Sequence, residues 1–272
     1  MTRIAVIGGG RIGEALVAGL LESGRLTKDL VVVETYRERA HQLAERFGIR
    51  VTDDLADAAV GADLLVIAVK PGDVDAVLAP LGKAEIGSDR DQVLVSLAAG
   101  VPTARLEGKM PAGFPVVRVM PNTPMLVGQG MSVIAPGRYA REQHLELVTE
   151  VLGAVGKVVT VAETQMDAVT AVSGSGPAYF FLVVEAMVDA GVGLGLTRDV
   201  ATQLVVQTMV GSAALLDSST QTAAELRAAV TSPAGTTAAA IRELERGGLR
   251  SAFWEALFAS RERSAEQGAS AE

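Results

Sequence analysis

Residues 4–20 read IAVIGGGRIGEALVAGL: a four-residue apolar run, three glycines, then apolar residues at helical spacing. The run has the length and β-branched content of a buried strand, and the part after Gly13 has the period of a helix. Gly8, Gly10 and Gly13 stand in G-x-G-x-x-G spacing. That spacing is a weak signal alone. Here it follows a strand, opens a helix and lies in a unit that closes on a second strand, LVVVE (30–34). In this setting Gly8 permits a tight turn, Gly10 close approach of a dinucleotide pyrophosphate, and Gly13 close packing of helix on strand.

The same grammar continues outward. LLVIAV (64–69), QVLVSL (92–97) and PVVRVM (115–120) read as further buried strands, and MSVIA (131–135) and KVVTV (157–161) extend the series. Between strands, GEALVAGLLESG (13–24), RERAHQLAERFG (37–48) and HLELVTEVLGAVG (144–156) have helical spacing. Alternation of this kind predicts a doubly wound, largely parallel sheet. After about Glu163 only helical patterns remain: TQMDAVTAVSG, PAYFFLVVEAMVDAG, RDVATQLVVQTMVGSAALL, AAELRAAV, TTAAAIRELERG and LRSAFWEALFASRERSAEQ. The fold class is therefore α/β, with a Rossmann-type sheet over 1–164 and an all-helical part over 165–272. Several of these helices are apolar around most of their circumference, so the helical part reads as a dimerisation domain. The tail SAEQGASAE is expected to fray.

Composition narrows the functional classes. Of 272 residues 49% are apolar and 21% charged, the profile of a folded chain. With 24 basic and 32 acidic side chains the net charge is −8, which argues against nucleic acid and anionic membranes as partners. The absence of cysteine excludes disulfides, thiolate metal sites and a cysteine nucleophile, and no metal is expected. The apolar run at the N-terminus is too short for a signal peptide. The most apolar later stretch, 179–192, contains Glu185 and Asp189 and is not expected to span a membrane. A soluble, cytoplasmic protein is the expectation.

Candidate site residues cluster at strand ends. Glu34 closes the second strand, where a carboxylate accepts bonds from the adenosine ribose and favours NADH. Thr35, Arg37 and Arg39 follow at once and suit the 2′-phosphate of NADPH, or simply a solvated helix start. Pro71 breaks the strand in AVKPGDV, which turns Val69 and Lys70 toward the ribose and nicotinamide end, although Lys70 also reads as a surface cation. In MPNTP, Asn122 suits a nicotinamide carboxamide, or a plain Pro-Asn turn. Further on, TSPAGTT (231–237) stops one helix and starts another, with Thr236 and Thr237 either capping it or leaving its N–H groups for an anion.

The hydride acceptor is constrained by what is missing. Reduction of a ketone needs a proton donor at oxygen, commonly His, Lys or Tyr. His41 and His144 both fall on helices of the sheet-forming part that read as surface. The turn VSGSGPAYFFLVVEA resembles that of β-hydroxyacid dehydrogenases, but Phe180, Phe181 and Leu182 occupy the region of their catalytic lysine. An imine, whose protonated nitrogen already attracts hydride, fits better.

Taken in order, IGGGRIGEAL, AVKP, SLAAGV, MPNTP, AVSGSGPAY, DAGVGLGL and TSPAGTT resemble the pyrroline-5-carboxylate reductase family over nearly the whole chain. The resemblance implies reduction of L-1-pyrroline-5-carboxylate to L-proline by NADPH, alternatively NADH, as the last step of proline biosynthesis. It implies a homodimer of interwound C-terminal helices with the active site at the interface, often built further into a decamer. It assigns Gly8, Gly10, Arg11, Ile12, Gly13, Glu34, Thr35 and Arg37 to the cofactor, together with Val69, Lys70, Pro71, Ala98, Ala99, Gly100, Asn122 and Thr123. Ser175, Gly235, Thr236 and Thr237 fall to the substrate, with the Thr237 hydroxyl offered to the ring nitrogen as the catalytic contact. The chain departs from the family pattern at Ala234, where glycine is usual, at Arg11, and at Asp54, where many members carry Asn. The same scaffold also suits another imine or ketoacid reductase, or a non-catalytic dinucleotide sensor.

Overall fold

The computed structural model describes residues 2–83 and 91–269. The chain forms two compact units. One comprises the residues up to Ser175 together with the end of the chain from Ser260, and the other is Gly176–Ala259.

The first unit is built on an eight-stranded sheet of β1 (Ile4–Ile7), β2 (Leu30–Val33), β3 (Arg50–Thr52), β4 (Leu64–Ile67), β5 (Val93–Ser96), β6 (Val116–Met120), β7 (Gly130–Pro136) and β8 (Gly156–Thr160). The strand order is 3-2-1-4-5-6-7-8, and the chain reverses direction across the sheet between β1 and β4. Alternate residues of β1 enter two different cores, as a sheet covered on both faces requires. Ile4 and Val6 pack with Leu16 and Leu20 of α1 (Arg11–Glu22) and Val148 and Val151 of α6 (Glu142–Gly153). Ala5 and Ile7 pack with Ala58 of α3 (Leu55–Ala59), Leu78 of α4 (Val74–Leu81) and Leu106 of α5 (Thr103–Glu107). Between β2 and β3 runs α2 (Arg37–Phe47).

Two features of the sheet go beyond the sequence reading of a largely parallel sheet. Strand β7 pairs antiparallel with β6, Met120 opposite Val133. The connection 121–129 is too short for a parallel crossover, which needs a dozen or more residues. Strand β3 is an edge strand of three residues, too short to show any alternation.

The helical grammar begins at about residue 165, but the first compact unit continues to Ser175. Met166 explains this: it opens α7 (Met166–Val169) and is fully buried against Val133 and Ala135 of β7. The other helices are α8 (Gly176–Gly193), α9 (Arg198–Ser218), α10 (Ala223–Ala229), α11 (Thr236–Arg246) and α12 (Leu249–Ala269). Their bounds match the predicted runs closely. The tail does not fray over its described part. Helix α12 continues to Ala269, and Ser264 is buried with its hydroxyl donating to Asp167 Oδ1 at 2.7 Å. Residues 270–272 lie outside the described residues.

The helices of the second unit bury little within the chain. Phe180, Phe181 and Leu182 are 62%, 62% and 66% exposed. By length and composition alone, Glu163–Gly193 and Arg198–Ser218 are apolar enough to cross a membrane, with mean hydropathies of 1.4 and 1.2. This corrects the expectation that Glu185 and Asp189 remove every candidate span, because two acids do not outweigh the surrounding Val, Leu and Phe.

Candidate functional site at the carboxyl end of the sheet

The parallel strands β2, β1, β4 and β5 end in one row, Val33, Ile7, Ile67 and Ser96 being register partners in turn, with Arg118 of β6 beside Ser96 and β6 running on to Met120. The segments beyond that row hold nearly all the residues expected for the cofactor. The three loop glycines have separate physical tasks. Gly8 sits at φ +110°, and a Cβ there would lie 2.8 Å from the Ala68 carbonyl oxygen. At Gly13 a Cβ would lie 2.1 Å from the Gly8 carbonyl oxygen, so the α1–loop contact tolerates no side chain. A Cβ on Gly10 would meet nothing within 4 Å. Gly10 is also the N-cap of α1 and offers no side-chain cap. The N–H groups of Arg11, Ile12 and Gly13 therefore open α1 without a partner among the described residues. Open space in front of an uncapped helix start fits a pyrophosphate, since free N–H groups and the helix dipole both attract an anion there.

Glu34 is committed to the loop itself. Its Oε2 accepts from the Gly9 N–H at 3.0 Å and its Oε1 from the Tyr36 N–H at 2.9 Å. Arg39, expected beside a 2′-phosphate, instead donates from Nε to the Gly9 carbonyl at 2.8 Å and pairs with Glu14 on α1. It ties α2 to the glycine loop. Thr35 and Arg37 are exposed, and their side chains have no partner among the described residues. Asp54, the departure from the family's Asn, caps α3 by accepting from the Ala56 and Asp57 N–H groups at 2.9 and 3.1 Å.

Val69 reaches the glycine loop, its Cγ1 lying 2.9 Å from the position a Gly8 Cβ would take. Lys70 and Pro71 are exposed at the start of a short 3-10 turn, where the Lys70 carbonyl accepts from the Asp73 N–H at 2.9 Å and its ammonium has no partner among the described residues. After β5, Ala98 is buried, Ala99 exposed, and Gly100 turns the chain at φ +74°. That loop leads into α5, whose start is held by a residue that sequence reasoning missed. Glu163 accepts from the Thr103 N–H at 2.7 Å and from its hydroxyl, and pairs with the buried Arg118 at 3.2 Å. No sequence spacing signals a contact across 60 residues.

Asn122 and Thr123 follow β6. Thr123 is exposed, whereas the Asn122 amide is used in both directions. Nδ2 donates to the Ser173 carbonyl at 3.1 Å and Oδ1 accepts from the Met131 N–H at 2.8 Å. Ser175 stands next to this contact, its Oγ 3.4 Å from Ser260 Oγ.

The remaining predicted residues, Gly235, Thr236 and Thr237, belong to the second unit and stand together at the start of α11. Gly235 is the N-cap of α11, with no side-chain cap bond. Among the described residues neither the Thr236 nor the Thr237 hydroxyl has a hydrogen-bond partner, and neither caps the helix, whose N-cap is Gly235. Thr237 is half-buried and Thr236 exposed. Ala234, just before, holds φ +57°, the only non-glycine residue in the left-handed region among those described.

A 3-2-1-4-5-6 sheet order, an open glycine loop at the start of α1 and a cluster of strand-end loops define a dinucleotide-binding protein of the Rossmann class. Residues 3–100 match the family model "NADP oxidoreductase coenzyme F420-dependent", and residues 163–267 match "Pyrroline-5-carboxylate reductase dimerisation". The pyrroline-5-carboxylate reductase of Mycobacterium tuberculosis (strain H37Rv) is 54% identical, over 97% of this chain and 96% of that protein. Among solved structures, a pyrroline-5-carboxylate reductase from Coxiella burnetii superposes with a TM-score of 0.93 at 36% identity, over 98% of each chain. The Plasmodium falciparum pyrroline carboxylate reductase, solved with NADP bound, gives 0.84 at 28% identity, again over 98% of each. The chain belongs to the pyrroline-5-carboxylate reductase family.

Proposed function

We propose that this chain reduces L-1-pyrroline-5-carboxylate to L-proline with NAD(P)H, the last step of proline biosynthesis, in the cytoplasm. The observation that carries the substrate assignment is the uncapped start of α11 with two unpaired threonine hydroxyls. In this reading residues 1–164 bind the dinucleotide and 165–272 bind substrate and pair two copies.

The N–H groups at Arg11, Ile12 and Gly13 hold the pyrophosphate across the space that Gly10 leaves open. Val69, Lys70 and Pro71, the Ala98–Gly100 loop and Thr123 border the ribose and nicotinamide end. When bound, the nicotinamide supplies a hydride. The N–H groups of Gly235, Thr236 and Thr237 hold the substrate carboxylate, for which a helix start is suited by charge and by donor direction. The Thr237 hydroxyl orients the ring nitrogen, and the Ser175 hydroxyl is a further substrate contact in this reading. The imine nitrogen, held at the Thr237 hydroxyl, takes its proton from solvent, which readies the neighbouring carbon for reduction. The chain's part is orientation, since an iminium needs no strong acid beside it.

Both nucleotides serve in this reading. Arg37 and Thr35 are free for a 2′-phosphate, and the Glu34 carboxylate, although turned toward Gly9 and Tyr36, keeps lone pairs for a ribose hydroxyl. The active site is completed at the interface of a homodimer, and dimers assemble further into a decamer.

Oxidation of NADPH and of NADH on addition of pyrroline-5-carboxylate tests the activity. Thr237→Val tests the site. Because Thr237 makes no cap bond, the variant should keep its thermal midpoint while kcat/KM drops about ten- to a hundredfold, the value of one charge-assisted contact. A lower midpoint with unchanged kinetics would refute the assignment.

A further inference from the structure

The AVSGSGPAY segment contains one π-helical turn, Thr170–Gly174, closed by the Ser175 N–H on the Thr170 carbonyl at 2.8 Å. Such turns are rare and need outside support. The hydroxyls of Thr170 and Ser173 bond back to the Met166 and Val169 carbonyls at 2.9 and 3.2 Å. The Ser173 carbonyl is left over. In a continuing helix it would accept from the backbone of residue 177, but that residue is proline and has no N–H. A carbonyl left without a backbone donor in this part-buried segment gains from a side-chain donor.

Asn122 supplies it, with Nδ2 3.1 Å from the Ser173 carbonyl. Its Oδ1 resolves a second mismatch. Pairing of β6 with β7 ends at Met120↔Val133, so Met131 lies beyond it, and the Met131 N–H goes to Asn122 Oδ1 at 2.8 Å. The turn is also pressed on the strand end sterically, since a Cβ on Gly174 would lie 2.4 Å from Met120 Cε. One side-chain amide thus joins the end of the sheet to the turn that presents Ser175.

We propose that Asn122 is a positioning residue for the substrate side of the site: its amide replaces the donor that Pro177 removes from Ser173, and so fixes Ser175 on the end of the sheet. This rests on the reading of Ser175 as a substrate contact. It replaces the expectation that Asn122 bonds the nicotinamide carboxamide, a contact that would use the one N–H left over on Nδ2.

Asn122→Asp in the full chain keeps the acceptor for Met131 and removes the donor to Ser173, and Asn122→Ala removes both. Three measurements decide the matter: hydrogen exchange of a peptide covering 170–176, the Kd for NADPH by fluorescence, and steady-state kinetics with pyrroline-5-carboxylate. In both variants exchange should quicken about tenfold or more, as expected for one lost bond that holds a local turn. KM for the imine should rise about tenfold with kcat within about threefold, the pattern of lost substrate holding. The Kd for NADPH should stay within about twofold of the parent. Unchanged exchange and KM overturn the proposal, and so does a rise in the NADPH Kd as large as that in KM. Failure of the parent chain to reduce the imine overturns the functional reading instead, and exchange with NADPH binding still decides whether Asn122 holds the turn.

Discussion

Gly10 and Gly13 lie in one loop and respond to a side chain in opposite ways. Gly10 has ordinary backbone angles, φ −67° and ψ −175°, and open space in front of it. Gly10→Val should therefore fold with an unchanged thermal midpoint and lose NAD(P)H binding, which calorimetry reads directly. At Gly13 the added carbon would overlap the Gly8 carbonyl, so Gly13→Ala should lower stability by about 1–3 kcal/mol as well as weaken binding. The tight packing at Gly13 and the open backbone at Gly10 were legible in the spacing, because G-x-G-x-x-G constrains what the backbone must do. The commitments of Glu34, Arg39 and Asn122 were not, because a hydrogen bond to a backbone group leaves no mark on residue type. Ala234 is a further residue-scale case. A left-handed non-glycine residue costs about 1–2 kcal/mol, partly offset by the roughly 0.5–1 kcal/mol that glycine loses in chain entropy on folding. Ala234→Gly should raise the thermal midpoint slightly in a melting experiment, and a fall would mean that the surrounding loop makes the strained angle favourable.

Among elements, the periodic ones were the most legible. The bounds of α8 to α12 follow from apolar spacing and from Gly and Pro at the breaks, and the central strands from short β-branched runs. What escaped were elements set by their neighbours: the edge strand β3, the reversed β7, and the π turn whose Ser173 carbonyl accepts from Asn122. Helix α10 shows an element whose start is both legible and titratable. Thr222 and Glu225 form a capping box, with the Glu225 carboxylate accepting from the Thr222 N–H at 2.7 Å and its hydroxyl at 2.8 Å. The backbone bond first, and the hydroxyl after it, hold the Glu225 carboxyl below its ordinary value of 4.5. A carboxyl with a depressed folded pKa stabilises the fold above its unfolded value, and that share is lost as pH falls through the folded one. The thermal midpoint of Glu225→Gln should thus lie below that of the parent at neutral pH. The gap should close progressively below about pH 4.5. A gap independent of pH would remove the charge from the account.

At the scale of the whole molecule, the second unit is a set of well-formed helices whose apolar faces find too few partners in their own chain. Phe181 and Trp254 are 62% and 68% exposed, and an apolar cleft of about 590 Å³ opens among α10, α11 and α12, lined by Ile241, Leu249 and Phe253. Composition alone allows a membrane to cover α8 and α9. The match of 163–267 to a reductase dimerisation domain favours a second copy of the chain. The two covers differ in what a charge on α8 does. On a face open to water, Phe181→Glu would change stability by no more than about 0.5 kcal/mol and leave the mass untouched. If a second copy covers it, each lost phenylalanine removes about 1.5–3 kcal/mol of burial, and twofold symmetry counts the loss twice. The resulting 3–6 kcal/mol amounts to about two to four powers of ten in the dissociation constant. Light scattering without detergent should therefore give the parent at least about twice the 28.1 kDa chain mass. At the same micromolar concentration Phe181→Glu should give a single chain that still binds NAD(P)H through the sheet unit but no longer reduces the imine. A Phe181→Glu variant that keeps the parent mass would show that this face lies outside the interface, and a parent that is monomeric and active would end the dimeric reading altogether.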